Sequence, residues 1–187
     1  MNIFIDQGHN PQNPNAGAEY GGVREQDINY TVGVLVADIL RTVPGIQVRL
    51  SRNTPYEQLG TSNATSLAAR VNAANSWPAD YFISLHCNIS VNYPEASGSE
   101  AYTYYTAGPA YDLGLYILDG LNKQTGLPNR GVIQNTGLYV LRRTTMPAVL
   151  VEMGFLSNAV DRHLLVERPD LFAQGIADGT LEYLRMK

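Results

Sequence analysis

Cysteine is almost absent from this sequence. With Cys87 alone among 187 residues, no disulfide can form within the chain, so folding cannot depend on an oxidising compartment, while work outside the cell stays open. Basic residues are also in short supply: 13 Lys and Arg stand against 17 Asp and Glu, a formal net charge of −4. That balance offers no electrostatic footprint for phosphates and sets nucleic acid aside as a partner. No apolar stretch approaches the roughly 20 residues that cross a bilayer, so no transmembrane segment is expected. Met1 runs straight into Asn2-Ile3-Phe4-Ile5-Asp6, without a basic region, an apolar run and a small-residue cleavage site, so no signal peptide is read in this chain. Repeats and low-complexity tracts are missing as well. The length and the 44% hydrophobic content fit one compact domain over residues 1–187 with a core of its own.

Strand and helix patterns alternate from end to end. This favours an α/β fold: a three-layer sandwich with a mixed, mostly parallel sheet flanked by helices. The first strand is Asn2 to Asp6. A helix should start near Glu25, where Ile28, Val32, Leu35, Val36, Ile39, Leu40 and Val43 recur at helical spacing before Pro44-Gly45 stops it. Ile46, Val48 and Leu50 alternate as a second strand; Leu67, Val71 and Ala74 outline a helix ending by Trp77-Pro78. Asp80 to His86 reads as a third strand, 88–98 as a loop, Ala101 to Thr106 as a strand and Pro109 to Lys123 as a helix. Leu138 to Leu141 and Ala148 to Val151 are expected as two short strands, the second apolar throughout, as in a sheet buried on both faces. From Asn158 to Leu184 the pattern is helical, with a break near Pro169.

Three side chains that can do chemistry sit where strands end. His9 follows the first strand in Asp6-Gln7-Gly8-His9, His86 closes the third, and Glu152 closes Ala148-Val149-Leu150-Val151. In open α/β sheets ligands bind beyond the carboxyl ends of strands, so the three can converge on one edge. Glu25, at the start of the first helix, can return towards His9. Two histidines and a carboxylate, with a fourth position left to water, are a known arrangement for catalytic zinc. Such a site needs a base, and Glu152 can take a proton from water and return it to a leaving amine. Its place after an apolar run suits a raised pKa, because an ionisable group there is costly unless paired or functional.

Eight segments appear in a fixed order: Ile5-Asp6-Gln7-Gly8-His9; Gly22-Val23-Arg24-Glu25; Ser51-Arg52; Arg70-Val71-Asn72-Ala73-Ala74-Asn75; Ala79 to Asn88, which holds Ser84-Leu85-His86-Cys87-Asn88; Gly98-Ser99-Glu100; Tyr139-Val140-Leu141-Arg142; and Pro147 to Asn158. Together they resemble the zinc-dependent N-acetylmuramoyl-L-alanine amidases of the amidase type 3 family, over nearly the whole chain. The resemblance implies one zinc ion held by His9, Glu25 and His86, with Glu152 as the catalytic glutamate. It also implies hydrolysis of the amide between N-acetylmuramic acid and L-alanine in peptidoglycan, a substrate of glycan strands bearing peptide stems. Asn88 and Arg142 match positions near the family's substrate cleft. No wall-targeting module is visible, which leaves room for an activator or wall-anchoring partner. Absence of a signal peptide fits a phage lysin, a mother-cell sporulation enzyme and an excised catalytic domain equally.

The sequence departs from the family at two places. Asn10-Pro11-Gln12-Asn13-Pro14-Asn15 replaces a glycine-rich stretch, and Cys87 replaces a small residue. Some relatives carry a long insertion after the His86 segment whose helix blocks the zinc; here 11 residues separate Cys87 from Ser99, so an open site is expected. Alternation along the strand points Cys87 away from His86, as a small buried hydrophobe rather than a fourth ligand. His163 reads as a residue on a solvated helix face, Glu100 as an exposed or structural acid, and Asp6 as a candidate to orient His9 or a purely structural acid. The alternatives to the amidase are a zinc peptidase cutting within the stem peptide and a non-catalytic wall-binding domain.

Overall fold

The computed structural model describes all 187 residues. Its strands are β1 (Asn2–Gln7), β2 (Glu19–Tyr20), β3 (Val23–Arg24), β4 (Gln47–Leu50), β5 (Tyr81–Asn88), β6 (Ser99–Thr103), β7 (Asn129–Gln134) and β8 (Ala148–Phe155). Its helices are α1 (Glu25–Arg41), α2 (Asn63–Ser76), α3 (Pro109–Thr125), α4 (Tyr139–Arg143), α5 (Ala159–Glu167) and α6 (Pro169–Arg185). Six strands form one sheet in the order β4-β1-β5-β8-β6-β7, and β2 with β3 makes a separate hairpin. The pairs β1–β4, β1–β5 and β5–β8 are parallel, β6 runs against β8, and β7 is parallel to β6. Mixed and mostly parallel is therefore the observed sheet, as expected.

Side-chain alternation divides the sheet into two faces. Ile3, Ile5, Ile83, Leu85, Val149 and Val151 pack with Val32, Val36 and Leu40 of α1, Leu113 and Ile117 of α3, and Phe172 and Ile176 of α6. Phe4, Phe82 and Leu150 pack on the other face with Val71 and Ala74 of α2 and Val140 and Leu141 of α4. Each aliphatic side chain fully removed from water on these faces contributes on the order of 1.5–3 kcal/mol. Burial on both faces explains why β1, β5 and β8 read as continuous apolar runs.

The helix boundaries have local causes. Ser62 caps α2 by accepting from the Thr65 amide at 3.1 Å, and Thr65 reciprocates through its own hydroxyl. Pro109 opens α3, and Gly126, at φ 72°, closes it in the left-handed conformation. Pro169 separates α5 from α6, where the break was expected. Helices α3 and α6 meet backbone to backbone: a Cβ on Gly120 would lie 2.2 Å from the Gly175 carbonyl oxygen.

The structure differs from expectation at three places. Leu138 to Leu141 is not a strand; α4 begins at Tyr139 and turns once, burying Val140 and Leu141 against Phe82 and Leu150. An apolar run of this length fits a strand or a helical turn equally well by periodicity. The strand β7 was not anticipated. It lies at the sheet edge with its ends exposed, and Gly131, at φ 89°, interrupts a segment with only Val132 and Ile133 as apolar signal. The strand β6 also starts earlier than expected, at Ser99, which brings Glu100 into the sheet.

Candidate active site

The histidines and Glu25 do converge. From the loop after β1, His9 places Nε2 3.1 Å from Glu25 Oε1, and from β5 His86 places Nδ1 3.0 Å from the same oxygen. Their rings meet edge-on, centroids 4.8 Å apart. Glu25 is fixed by the protein around it: the Cys87 amide donates to Oε1 at 3.1 Å and the Ala18 amide to Oε2 at 2.9 Å. Burial would raise its pKa, but hydrogen bonds from His86 and His9 outweigh that and hold the carboxyl well below the usual range.

These residues suit a metal ion by geometry. One ligand atom from each of the three lies within 4.8 Å of the others. With bonds of about 2.0–2.1 Å, two ligands of a tetrahedral zinc stand about 3.3–3.4 Å apart. The observed oxygen-to-nitrogen spacings are close to that, so a small shift would admit the ion. The donor set itself, two imidazoles and a carboxylate, is one that zinc accepts.

Backbone shape brings His9 into place. Its φ is 68°, a conformation that non-glycine residues seldom adopt and that surrounding structure must enforce. Arg70 of α2 supplies the enforcement. Fully buried, it donates from Nη2 to the His9 carbonyl at 2.6 Å and from Nη1 to Asp6 Oδ1 and to the Gln7 carbonyl, both at 2.6 Å. Asp6 Oδ2 accepts from Ser84 at 2.7 Å. Burial pushes the Asp6 carboxyl up, and Arg70 with Ser84 more than reverses it, leaving its pKa lowered. Asp6 thus acts on His9 through Arg70 and the main chain, and has no hydrogen bond to the ring.

Glu152 stands in β8 beside His86 in β5, the two being direct register partners. Its Oε2 is buried without a hydrogen-bond partner. Burial first, then the charges of Glu25 and Glu100, push its carboxyl well above the usual range. A raised carboxyl fits the place of Glu152 after an apolar run, and Glu100 adds to the shift.

Glu100 is 5% exposed and pairs with Glu152 across the antiparallel β6–β8 register. Its Oε1 accepts from Asn88 Nδ2 and from the Tyr102 hydroxyl, each at 2.7 Å, and its Oε2 from Arg130 Nε at 2.8 Å. It is a buried hub, not an exposed acid. The signal that could have found it is register: an acid in β6 opposite Glu152, once β6 is started at Ser99.

Asn88 is held in the same network, its Nδ2 on Glu100 and its Oδ1 accepting from the Ile89 amide at 2.9 Å. Arg142 lies elsewhere. It lines a cavity of about 430 Å³ with Tyr104, Tyr105, Met146 and Pro147, at the start of β8. The residues of that segment nearer the histidines are Tyr139 and Val140, which line a cavity of about 310 Å³ with His9, His86, Leu67 and Leu150. Cys87 is buried on the opposite face of β5, its Sγ 3.6 Å from Asn29 Oδ1. His163 is exposed on α5. Both stand as the sequence indicated.

Fold and site together define an α/β protein with a metal-competent histidine–carboxylate cluster at the carboxyl edge of its sheet and an unpaired glutamate beside it. The chain belongs to the N-acetylmuramoyl-L-alanine amidase family Amidase_3, whose model it matches over residues 3–182. It is 36% identical over 189 residues to the N-acetylmuramoyl-L-alanine amidase LytC of Bacillus subtilis (strain 168), covering 98% of this chain and 35% of that protein. It is 34% identical over 182 residues to the N-acetylmuramoyl-L-alanine amidase CwlM of Bacillus licheniformis, covering 96% and 65%. The chain therefore spans roughly a third to two thirds of these curated relatives. Among solved structures, the catalytic domain of CwlV, an N-acetylmuramoyl-L-alanine amidase from Bacillus (Paenibacillus) polymyxa var. colistinus, superposes with a TM-score of 0.84 at 32% identity, covering 100% of this chain and 99% of that one.

Proposed function

We propose that this chain is a zinc-dependent hydrolase of the amide bond between N-acetylmuramic acid and the L-alanine of the peptidoglycan stem, acting on the cell wall. One observation carries the reading: Glu152, with an unpartnered Oε2, is the register neighbour of His86 in the His9–Glu25–His86 cluster. Family membership supplies the bond.

His9, Glu25 and His86 would hold the ion. Zinc supplies Lewis acidity there, polarising a carbonyl and making water nucleophilic near neutral pH. Glu152 is the group that accepts the proton of the attacking water and hands it to the departing alanine amine. Its burial suits the accepting step, because a carboxylate with a raised pKa is a stronger base than it would be in water, and the proton it then carries is the one the departing amine needs. Arg70, through the His9 carbonyl, and the Cys87 and Ala18 amides, through Glu25, hold the proposed ligands in place.

The test is the identity of the amine that appears. Peptidoglycan treated with the zinc-loaded protein should expose new amino-terminal alanine, measured by end-group labelling, with no new reducing sugar ends. New amino termini at other residues would turn the reading into a peptidase, and none at all would leave a wall-binding domain.

A further inference from the structure

A row of charged side chains crosses the sheet beside the cluster. His86 in β5 pairs with Glu152 in β8, Glu152 pairs with Glu100 in β6, and Glu100 grips Arg130 in β7. A register shift between Ser99 and Ala101 places Glu100 across from the irregular turn of β7 at Arg130 and Gly131. Arg130 is built into position. Its Nε is 2.8 Å from Glu100 Oε2, its guanidinium carbon lies 5.1 Å from the centroid of the Phe155 ring, and its Nη1 reaches the Ser97 carbonyl at 3.4 Å. Glu100, which anchors it, is tied on its other oxygen to Asn88 and Tyr102. The side chain is nevertheless 41% exposed, and its Nη2 has no acceptor in the protein. A planar cation held through Nε and Nη1 and stacked on an aromatic ring, with Nη2 left free at the exposed end, is placed to donate to a carboxylate.

We infer that Arg130 is a specificity residue that binds a free carboxylate on the stem peptide, borne by a residue just beyond the alanine of the scissile amide. The inference rests on the amidase reading above. The direction of the substrate follows from Glu152: the leaving amine must face the group that gives it a proton, and Glu152 lies on the β8 side of the cluster, so the peptide continues towards β6 and β7. Neighbouring strands are about 4.8 Å apart, which puts the Arg130 backbone about 10 Å from that of Glu152. An extended peptide advances about 3.3–3.6 Å per residue, so the first few residues past the bond fall within reach of the guanidinium.

The experiment uses two muramoyl peptides that are identical except that the carboxylate on the residue after alanine is free in one and amidated in the other. The zinc-loaded protein should favour the free acid by about ten- to a hundredfold, carried by KM, as for a charge-assisted hydrogen-bonded pair. In Arg130→Met the ratio should fall to near one, and in Arg130→Lys to an intermediate value, because a point charge lacks the fork. Arg185→Met, which removes an equal charge from the end of α6, should keep the wild-type ratio. A merely structural role for Arg130 would slow both substrates alike. An unchanged ratio in Arg130→Met overturns the inference and leaves the amidase reading intact. Failure of the wild type to cut either substrate overturns the amidase reading, and the inference with it.

Discussion

Glu152 and His86 face one another across the parallel pairing of β5 and β8, the proposed base beside a proposed ligand, and Glu152 Oε2 has no protein partner. Such a carboxyl is held by its strand, not by hydrogen bonds. Glu152→Gln keeps size and burial but cannot carry the proton. The expected result is unchanged zinc content with hydrolysis reduced about 10²- to 10⁴-fold, the range that general acid–base groups contribute. Wild-type turnover in a zinc-loaded Glu152→Gln protein would remove the assignment.

His86 and His9 both aim at Glu25 Oε1, so the loss of either ring takes away one of the three proposed ligands. For His86→Ala, metal analysis after dialysis should find zinc well below one per chain, with a fold retained by circular dichroism. Stoichiometric zinc in that variant would show that the ion sits elsewhere.

The raised pKa of Glu152 has a thermodynamic consequence. Folding favours its protonated form, so the associated stability is fully present below the ordinary carboxyl value of 4.5 and is lost as pH rises through the higher folded value. Glu152→Gln cannot ionise and escapes that loss. Metal-free Glu152→Gln should therefore match the metal-free wild type near pH 4 and melt at a higher temperature at neutral pH. A gap that stays constant from pH 4 to 8 would contradict the assigned burial of this group.

Asp6 behaves in the opposite sense. Its folded pKa is lowered from 3.8, so the stability from its pairing with Arg70 is present above that value and is lost as pH falls through the lower folded value. Removing one partner of a buried pair typically costs about 3–5 kcal/mol. Asp6→Ala should lose stability of that order at pH 7 in chemical denaturation, with the deficit shrinking under strong acid. Zinc affinity should weaken too, because Arg70 also anchors the His9 carbonyl. A variant with full zinc affinity would separate the Asp6–Arg70 pair from the ligand geometry.

Which features the sequence revealed follows from how many residues state each one. The strands β1, β5 and β8 are buried on both faces and announce themselves as apolar runs, and α1 carries its stripe over four turns. His9, His86 and Glu152 sit at the ends of those runs, so their convergence could be read with the topology. Other features were hidden because they depend on neighbours. Glu100 is significant only through its register with Glu152, and Arg130 only through Glu100. The Arg70 grip on His9 joins residues 61 apart. The segment at Tyr139 became a helical turn because tertiary packing chose between two conformations that its five residues allow equally.

The most direct test of the whole account is digestion of purified peptidoglycan by the protein after chelation and after return of zinc, with the products identified by mass spectrometry. The expected products are free stem peptides beginning with L-alanine, lost with the chelator and restored by zinc in the wild type but not in Glu152→Gln. The same peptides released in full by the metal-stripped wild type would contradict it.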